Sequence, residues 1–449
     1  MPPGGDGELT AAQQRRNVAV FVVTNGLVYL SAPVIYVGIT QASLCSALGS
    51  SDTVANLSAS AAFWGAAAPL VVAWRFHTVA SIRPVLVCGY AVLALAGVLV
   101  AAALQWPVST NLRLTTVVLY GGLVGAALAV VNAFLWEMVG RGISQRRRGL
   151  AYALAFGVGP LLAVVGSLGA QWLLSGTIEL PWVSHSGFSM RTFAMTPLEF
   201  PRNFAALFAV SSLVLIVCAI AAMRYVLPTV HDESPRPPFV SNFFLVGREL
   251  ISDRVLLLAV VAYLLVDAGS TISNNMALYT PLALGHPAED YAGYQNAIRF
   301  SFKVVAGLLL GWAIAHTHAK MGLLATCGLC VSGVFWLLLL PKAWFLVSFG
   351  LMGAGELYGV YYPNYIMDRS RPDRIRQNMA LLQLLTLVTC LAPPAFGAIS
   401  DKVSLTASFA VASCMLLASL LIVAVGLPAK PRLNDGQPQL LTETTEVRR

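Results

Sequence analysis

Charged residues are scarce in this 449-residue chain: Asp, Glu, Lys and Arg together make up 11%, against 57% hydrophobic residues. A soluble domain averages about 25% charged residues. The deficit argues against an ordinary soluble protein. A disulfide framework is also missing. Six of the seven cysteines fall in apolar runs, and Cys45 alone reads as lying in a loop. Cys327 and Cys330 form a C-x-x-C inside an apolar run with no polar partners in sequence, so they read as two small buried residues. The chain carries no phosphate-binding loop, no metal-ligand cluster and no nucleophile–base pair. An ATP-driven pump or a membrane enzyme is therefore not indicated, and neither a metal nor another cofactor is expected. Residues 1–17 lack the basic start of a secretory signal, and the first apolar run is too long for a signal core, so an uncleaved first helix is expected.

What is present is a series of long apolar runs, and the mean hydropathy is +0.73. Each run can cross ~30 Å of hydrocarbon as a helix. The expected spans lie near 18–40, 54–74, 84–104, 114–137, 150–173, 204–227, 255–276, 291–315, 321–340, 343–367, 377–398 and 403–427. The fold class is thus an all-α polytopic membrane protein with twelve transmembrane helices. The net charge of +8 sorts by loop. Arg15, Arg16, Arg75, Arg83, the Arg141–Arg148 group, Arg224, Arg254, Lys320 and the Arg369–Arg376 group share one side. Arg113, Arg191, Arg202, Lys342 and Lys402 fall on the other. The positive-inside rule then places both termini in the cytoplasm of a multi-pass protein of the plasma (inner) membrane. The arginines are scattered over short loops beside apolar spans, which argues against nucleic-acid binding.

The chain divides in the middle. Residues 1–227 form an expected N-terminal six-helix bundle and 254–427 a C-terminal one, followed by a cytoplasmic tail at 428–449. Between the bundles, 228–253 reads as a cytoplasmic linker ending in a short interfacial helix. The loop 174–203 on the outer side carries Trp182, Phe188, Phe193 and Phe200, and reads as a surface excursion or a flap over the outer mouth. The halves echo each other. Arg75 and His77 follow the second span as His316 and His318 follow the eighth, and a strongly basic loop follows both the fourth and the tenth. A duplicated six-helix unit gives such matching loops.

Four charges sit where charges are costly. Asp267, Arg299, Lys303 and Glu356 lie near the middle of three apolar spans. A charge at that depth costs roughly 2.5–3.5 kcal/mol on insertion scales, and such groups mark functional sites. At 1.5 Å per residue, Asp267 matches Arg299 in height and Lys303 matches Glu356. Two opposite-charge pairs are therefore expected, with Arg299 and Lys303 on one helix face. Asp267 and Glu356 are proton-coupling candidates, because burial raises a carboxyl pKa and a nearby cation lowers it. Arg299 and Lys303 are candidate counter-ions or substrate anchors. Static salt bridges that merely hold the second half together are the alternative. Polar residues crowd the same region: Asn274 in span seven, Asn296 in span eight, and Tyr358, Tyr361, Tyr362 and Tyr365 on one face of span ten. Tyr358 and Tyr361 lie deep enough to line a cavity, and Tyr365 reads as part of the interfacial belt. Glu137 is expected to pair with Arg141 or its basic neighbours, and Gly355-x-x-x-Gly359 to mark close helix packing.

Six plus six spans, cytoplasmic termini, a central linker and basic loops after spans two, four, eight and ten resemble the major facilitator superfamily. The stretch Ala73-Trp74-Arg75-Phe76-His77-Thr78-Val79-Ala80-Ser81-Ile82-Arg83-Pro84 keeps two arginines and the closing Arg-Pro of that family's signature loop, without its Asp and Gly. The resemblance implies that spans one, four, seven and ten line a central path. On this chain that implicates Asn25, Tyr29 and Tyr36, then Asn132 and Trp136, then Asp267 and Asn274, then Glu356 and Tyr358. It also implies a secondary active transporter, not an enzyme, whose partners are a small-molecule substrate, protons and the lipid bilayer, and which acts as a monomer. Proton-coupled uptake of a small polar or anionic metabolite by alternating access is the preferred reading. Gly157-Val158-Gly159-Pro160 resembles the Gly-Pro motif of drug–proton antiporters, which keeps an exporter of amphipathic compounds as the alternative. A non-transporting membrane receptor or scaffold is the alternative from another class.

Overall fold

The computed structural model describes residues 9–178, 196–228, 252–340, 342–370, 378–379, 382 and 384–430. Helices make up nearly all of it. The first pass is broken into α1 (Ala11–Leu30), α2 (Ala32–Ile35) and α3 (Ile39–Ala47). The second comprises α4 (Asp52–Gly65) and α5 (Ala68–Arg75). Long helices follow: α6 (Val79–Gln105), α7 (Thr110–Gly142), α8 (Gln145–Ser175) and α9 (Arg202–Ala222). The seventh pass is α10 (Arg254–Ser270), α11 (Ser273–Leu278) and the short α12 (Thr280–Leu284). Then come α13 (Ala292–His316) and α14 (Ala319–Leu339). The tenth pass is α15 (Val347–Gly355) and α16 (Tyr358–Arg369). The eleventh ends in α17 (Ala392–Lys402), and the twelfth is α18 (Leu405–Leu421).

Ten helical segments among the described residues are long and apolar enough to cross a membrane. The first pass falls outside that group because turns at Ser31 and around Val37 interrupt it, and the eleventh because part of it lies outside the described residues. Some helices start where side chains satisfy their free amides. Thr10 and Gln13 form a capping box on α1, and the Asp253 carboxylate accepts from the Val255 and Leu256 amides of α10. Large apolar side chains stay exposed on the outer faces, including Val425 at 81%, Leu339 at 74% and Leu308 at 73%. In water such a belt would drive aggregation, whereas in hydrocarbon it is the solvated surface.

Two six-helix bundles make up the fold. In the first, α6 packs on α7 and α9, α4 on α7, and α1 on α8 and α9. In the second, α10 packs on α16 and α18, α14 on α15 and α18, and α13 on α15. The bundles meet mainly through α8 on α13 and α4 on α17. Cys45 is not in a loop as expected: it is buried within α3, because the first pass continues as a helix past its breaks. The interfacial helix of the linker, Trp182, Phe188 and Phe193 of the loop, Arg371, Arg374 and Arg376, and the tail beyond Lys430 lie outside the described residues.

Candidate functional site

Three interrupted passes converge on the four intramembrane charges. Glu356 stands between α15 and α16, Asp267 lies one turn before the break between α10 and α11, and the first pass turns at Ser31 and again at Tyr36–Gly38. Broken helices at membrane depth are tolerated where they line a cavity or are buried in protein. Glycines bring the tenth pass against the eighth and the ninth. A Cβ at Gly353 would collide with the Arg299 backbone, one at Gly350 with the Phe302 ring, and one at Gly355 with Cys330. This close approach sets Arg299 against Glu356. Gly359 faces open space, so Gly355-x-x-x-Gly359 is half a packing motif: its first glycine is crowded and its second is not. On α8, Gly159 admits the Tyr29 ring and Gly166 the Leu30 carbonyl, so these glycines seat the first pass on the fifth.

The two carboxylates have unlike surroundings. Glu356 Oε1 accepts from Arg299 Nε and Nη2, each at 2.6 Å, and Oε2 accepts from Lys303 Nζ at 3.1 Å. The side chains of Glu356 and Arg299 are 13% and 15% exposed, and that of Lys303 is 26% exposed. Asp267 is buried. Its Oδ1 accepts from the Tyr358 hydroxyl at 2.9 Å, and Tyr358 bonds in turn with Ser270 Oγ at 2.7 Å. Among the described residues its Oδ2 has no hydrogen-bond partner. Among the described residues no cation lies within ion-pair distance of Asp267. Of the two expected pairs, Lys303–Glu356 is present and Asp267–Arg299 is corrected. Arg299 does not pair with Asp267. Both cations, one turn apart on α13, share Glu356, because the packing of α13 on α15 presents that face to the tenth pass.

The other candidates divide into partly exposed and packing positions. Tyr29 and Tyr36 are half-buried, their ring centroids 6.3 Å apart, and Tyr36 stands edge-on to Phe300 at 5.7 Å, next to Arg299. Asn132 and Trp136 are exposed on one face of α7, and Trp136 tilts against Tyr152 at 5.4 Å. Asn25, expected to line the path, donates to the Ala155 carbonyl at 2.9 Å and so ties α1 to α8. Asn296 donates to Thr40 Oγ1 at 3.3 Å, and Asn274 abuts Gly38. Both asparagines thus bridge to the first pass. Tyr361 is half-buried against Gly322. Tyr362 bonds with Cys327 Sγ at 2.9 Å and Ser419 Oγ at 3.1 Å inside the second bundle. Tyr365 is buried and donates to the Pro428 carbonyl at 2.8 Å, so it is not an interfacial belt residue. Glu137 pairs with Arg141 at 2.9 Å beside a cavity of about 550 Å³ that also borders His77, on the loop after the second pass.

Sequence reasoning missed a seal between the bundles. Its bonds lie at the end of the bundle opposite the start of α1. Asp401, near the end of α17, accepts from the Asp52 and Thr53 amides at 2.9 and 3.0 Å and from Thr53 Oγ1 at 2.5 Å. Its carboxylate thus caps α4 across the interface. Ser400 donates to Asp52, and Gly397 packs against the same first turn. Asn56 donates to Asn275 Oδ1 at 2.7 Å. Gln171 donates to the Asp290 carbonyl at 2.5 Å and accepts from the Tyr294 amide at 3.1 Å. Among the described residues, the polar bonds between the bundles are all at this end or short of mid-membrane. Burial raises the Asp401 pKa, but the bonds from Thr53 and Asp52 outweigh it and hold the carboxyl below its ordinary value. The Ser-Asp-Thr run at 51–53, which reads as a helix start, was the available signal; its cap from another bundle was not visible in it.

No protein-family model matches the chain, and no curated protein matches it. Solved structures do. A D-xylose–proton symporter covers 93% of this chain and 99% of its own at 13% identity, with a TM-score of 0.63. A mutant form of the nucleoside transporter NupG covers 91% and 97% at 11% identity, with a TM-score of 0.63. A POT family transporter in complex with 5-aminolevulinic acid covers 91% and 96% at 11% identity, with a TM-score of 0.65. The chain has the fold of the major facilitator transporters over nearly its whole length.

Proposed function

We propose that this chain is a secondary active transporter that moves a small polar or anionic metabolite together with protons, by alternating access between its two bundles. The observation that carries the reading is the unequal sharing of charge at mid-membrane. Two cations attend one carboxylate, while a second carboxylate, Asp267, keeps an unpartnered oxygen and no counter-ion among the described residues. An uncompensated buried carboxylate favours its protonated form, so Asp267 is the proton-binding group and Glu356 the fixed partner of the cations. Arg299 and Lys303 are the anchors for an anion. Tyr29, Tyr36, Tyr358, Asn132 and Trp136 lie along the path. The domains are 1–227 and 254–427, joined by 228–253, and the termini face the cytoplasm of the inner membrane. The protein works as a monomer and is not an enzyme. The named proton symporter among the similar structures supports proton coupling.

A thermal-unfolding screen of the purified protein against metabolites, beside Lys303→Ala, tests the reading. Ligand binding stabilises by mass action, by about 2.7 kcal/mol at a hundredfold excess over Kd. An anion that stabilises the wild type and not the variant supports it. Equal stabilisation of both by neutral solutes alone removes the anionic substrate.

One observation favours a second reading, export of amphipathic compounds. A cavity of about 410 Å³ between α10, α17 and α18 is lined almost wholly by apolar side chains such as Leu264, Phe396 and Met415, with Thr389 at its edge and Ala268 beside Asp267. Lipophilic cations that stabilise the protein, and lose that effect in Asp267→Asn, would select this reading. A non-transporting receptor or scaffold predicts no substrate-dependent proton flux in liposomes.

A further inference from the structure

The charges at the centre can be counted, and the count constrains what could cross together with a proton. The site holds two cations, Arg299 and Lys303, and two carboxylates, Glu356 and Asp267. With Asp267 ionised and no substrate present, these four groups sum to zero. A proton on Asp267 alone leaves the site at plus one. A monoanion alone leaves it at minus one. Proton and monoanion together return it to zero. A neutral site can be enclosed and re-exposed cheaply, whereas a site with net charge in low dielectric pays a large desolvation penalty and works against the membrane potential.

We propose that the protein is an obligatory one-to-one symporter of a proton and a monocarboxylate, because only the empty and the fully loaded forms of its site are neutral enough to switch sides. This deepens the proton-coupled reading above and rests on it.

The geometry supplies a place for each passenger. The proton enters from water onto Asp267 Oδ2, the oxygen with no partner, and returns to water on the opposite side. The groups facing Asp267 are the Tyr358 hydroxyl from α16, Tyr263 on its own helix and, from the eleventh pass, Thr389, whose hydroxyl donates to the Thr386 carbonyl at 2.6 Å. Among the described residues none of these immediate neighbours is a cation, so a proton from water is the direct partner left to the carboxylate. The anion meets Lys303. Arg299 holds Glu356 Oε1 through two nitrogens at 2.6 Å, while Lys303 holds Oε2 by one contact at 3.1 Å and is nearly twice as exposed. A substrate carboxylate can therefore take Lys303 from Glu356 without freeing Arg299. A monocarboxylate carries the one negative charge required, and the compact Lys ammonium does not demand a bidentate partner. The half-buried Tyr29 and Tyr36 beside Arg299 offer ring faces and edges to an apolar body.

The test uses the full chain in proteoliposomes with benzoate, butyrate, succinate and the neutral benzamide as probes. An inward proton gradient should drive benzoate or butyrate uptake. The initial rate should change less than about twofold when potassium and valinomycin set the membrane potential inside-negative or zero. Asp267→Asn makes the anion-loaded site permanently neutral and the empty site permanently positive. It should lose proton-driven accumulation by about tenfold or more, yet keep benzoate counterflow within about threefold of wild type. Retained counterflow also shows that the variant folds. Uptake that rises severalfold with potential overturns the charge balance while leaving anion transport intact. The same holds if Asp267→Asn still accumulates benzoate, or if it folds, by its wild-type unfolding temperature, but loses counterflow. Faster uptake of succinate than of either monocarboxylate overturns the substrate class. If only benzamide binds and moves, the anionic reading itself fails.

Discussion

Asp267 and Glu356 are both buried carboxylates in the same bundle, yet they are built to opposite ends. Glu356 spends both oxygens on cations, three contacts between 2.6 and 3.1 Å. Asp267 spends one oxygen on a tyrosine hydroxyl and, among the described residues, leaves the other bare. Burial alone therefore does not define a role for a carboxylate in a membrane. The number of cations it can reach does. A group that is neutralised by its neighbours holds helices together, and a group that is not must borrow its neutrality from solvent, as a proton.

The contrast is broken most forcefully at Glu356. Glu356→Gln strands Arg299 and Lys303, and breaking a buried pair from one side costs about 3–5 kcal/mol. Thermal unfolding in detergent should show the largest drop of any single change considered. Asp267→Asn, by comparison, keeps the Tyr358 bond and removes no partner from any cation, so its unfolding temperature should stay near that of the wild type. Equal losses in the two variants would erase the distinction. Gly353→Ala attacks the approach of the tenth pass to Arg299. Overpacking of that kind costs about 1–3 kcal/mol, and it should loosen the cation cluster while sparing the neighbourhood of Asp267. Cysteine accessibility at a Lys303→Cys reporter, made with and without Gly353→Ala, would register the change. Tyr358→Phe removes the one bond that the described residues make to an Asp267 carboxylate oxygen. An unsatisfied buried partner costs about 1–3 kcal/mol, and the loss should shrink at low pH, where Asp267 is protonated and needs the donor less. A loss that stays constant across pH would mean that Asp267 is neutral throughout.

The smallest effect belongs to the seal. Asp401→Asn weakens the charge on the first turn of α4, an exposed interaction of about 0.3–1 kcal/mol. It should raise the labelling of Thr53→Cys by an impermeant maleimide from the sealed side. Because the folded Asp401 pKa is lowered, the contribution is present above the ordinary carboxyl value of about 3.9 and is lost only as pH falls through the lower folded value. Labelling of Thr53→Cys should accordingly be flat across neutral pH. A change between about pH 5 and 8 would point to a different latch, since no ordinary carboxyl titrates there.

Much of this molecule is legible in its residues. Apolar runs of spanning length mark the passes, and four charges inside them mark the candidate site, because neither feature has an inexpensive alternative in hydrocarbon. Local spacing also suffices for the Glu137–Arg141 pair, four apart on α7. Partners across helices are another matter. Height along a helix follows from counting residues at a fixed rise, and on height alone Asp267 suited Arg299. Which face a helix turns toward its neighbour depends on where it breaks and how closely it packs. The interruption at Glu356 and the bare surface of Gly353 gave both cations to one carboxylate. The same limit applies to Asn25, Asn274, Asn296 and Tyr365, whose depth or polarity suggested a lining or an interface and whose contacts proved to be with distant segments of the chain. Asp401 on Thr53 joins residues 348 positions apart. Sequence by itself determined the membrane, the passes and the charges to be accommodated, since the bilayer tests each segment on its own composition. The tertiary structure decided which charge is neutralised and which is left open, since that depends on rotation and contact between helices that no single segment encodes.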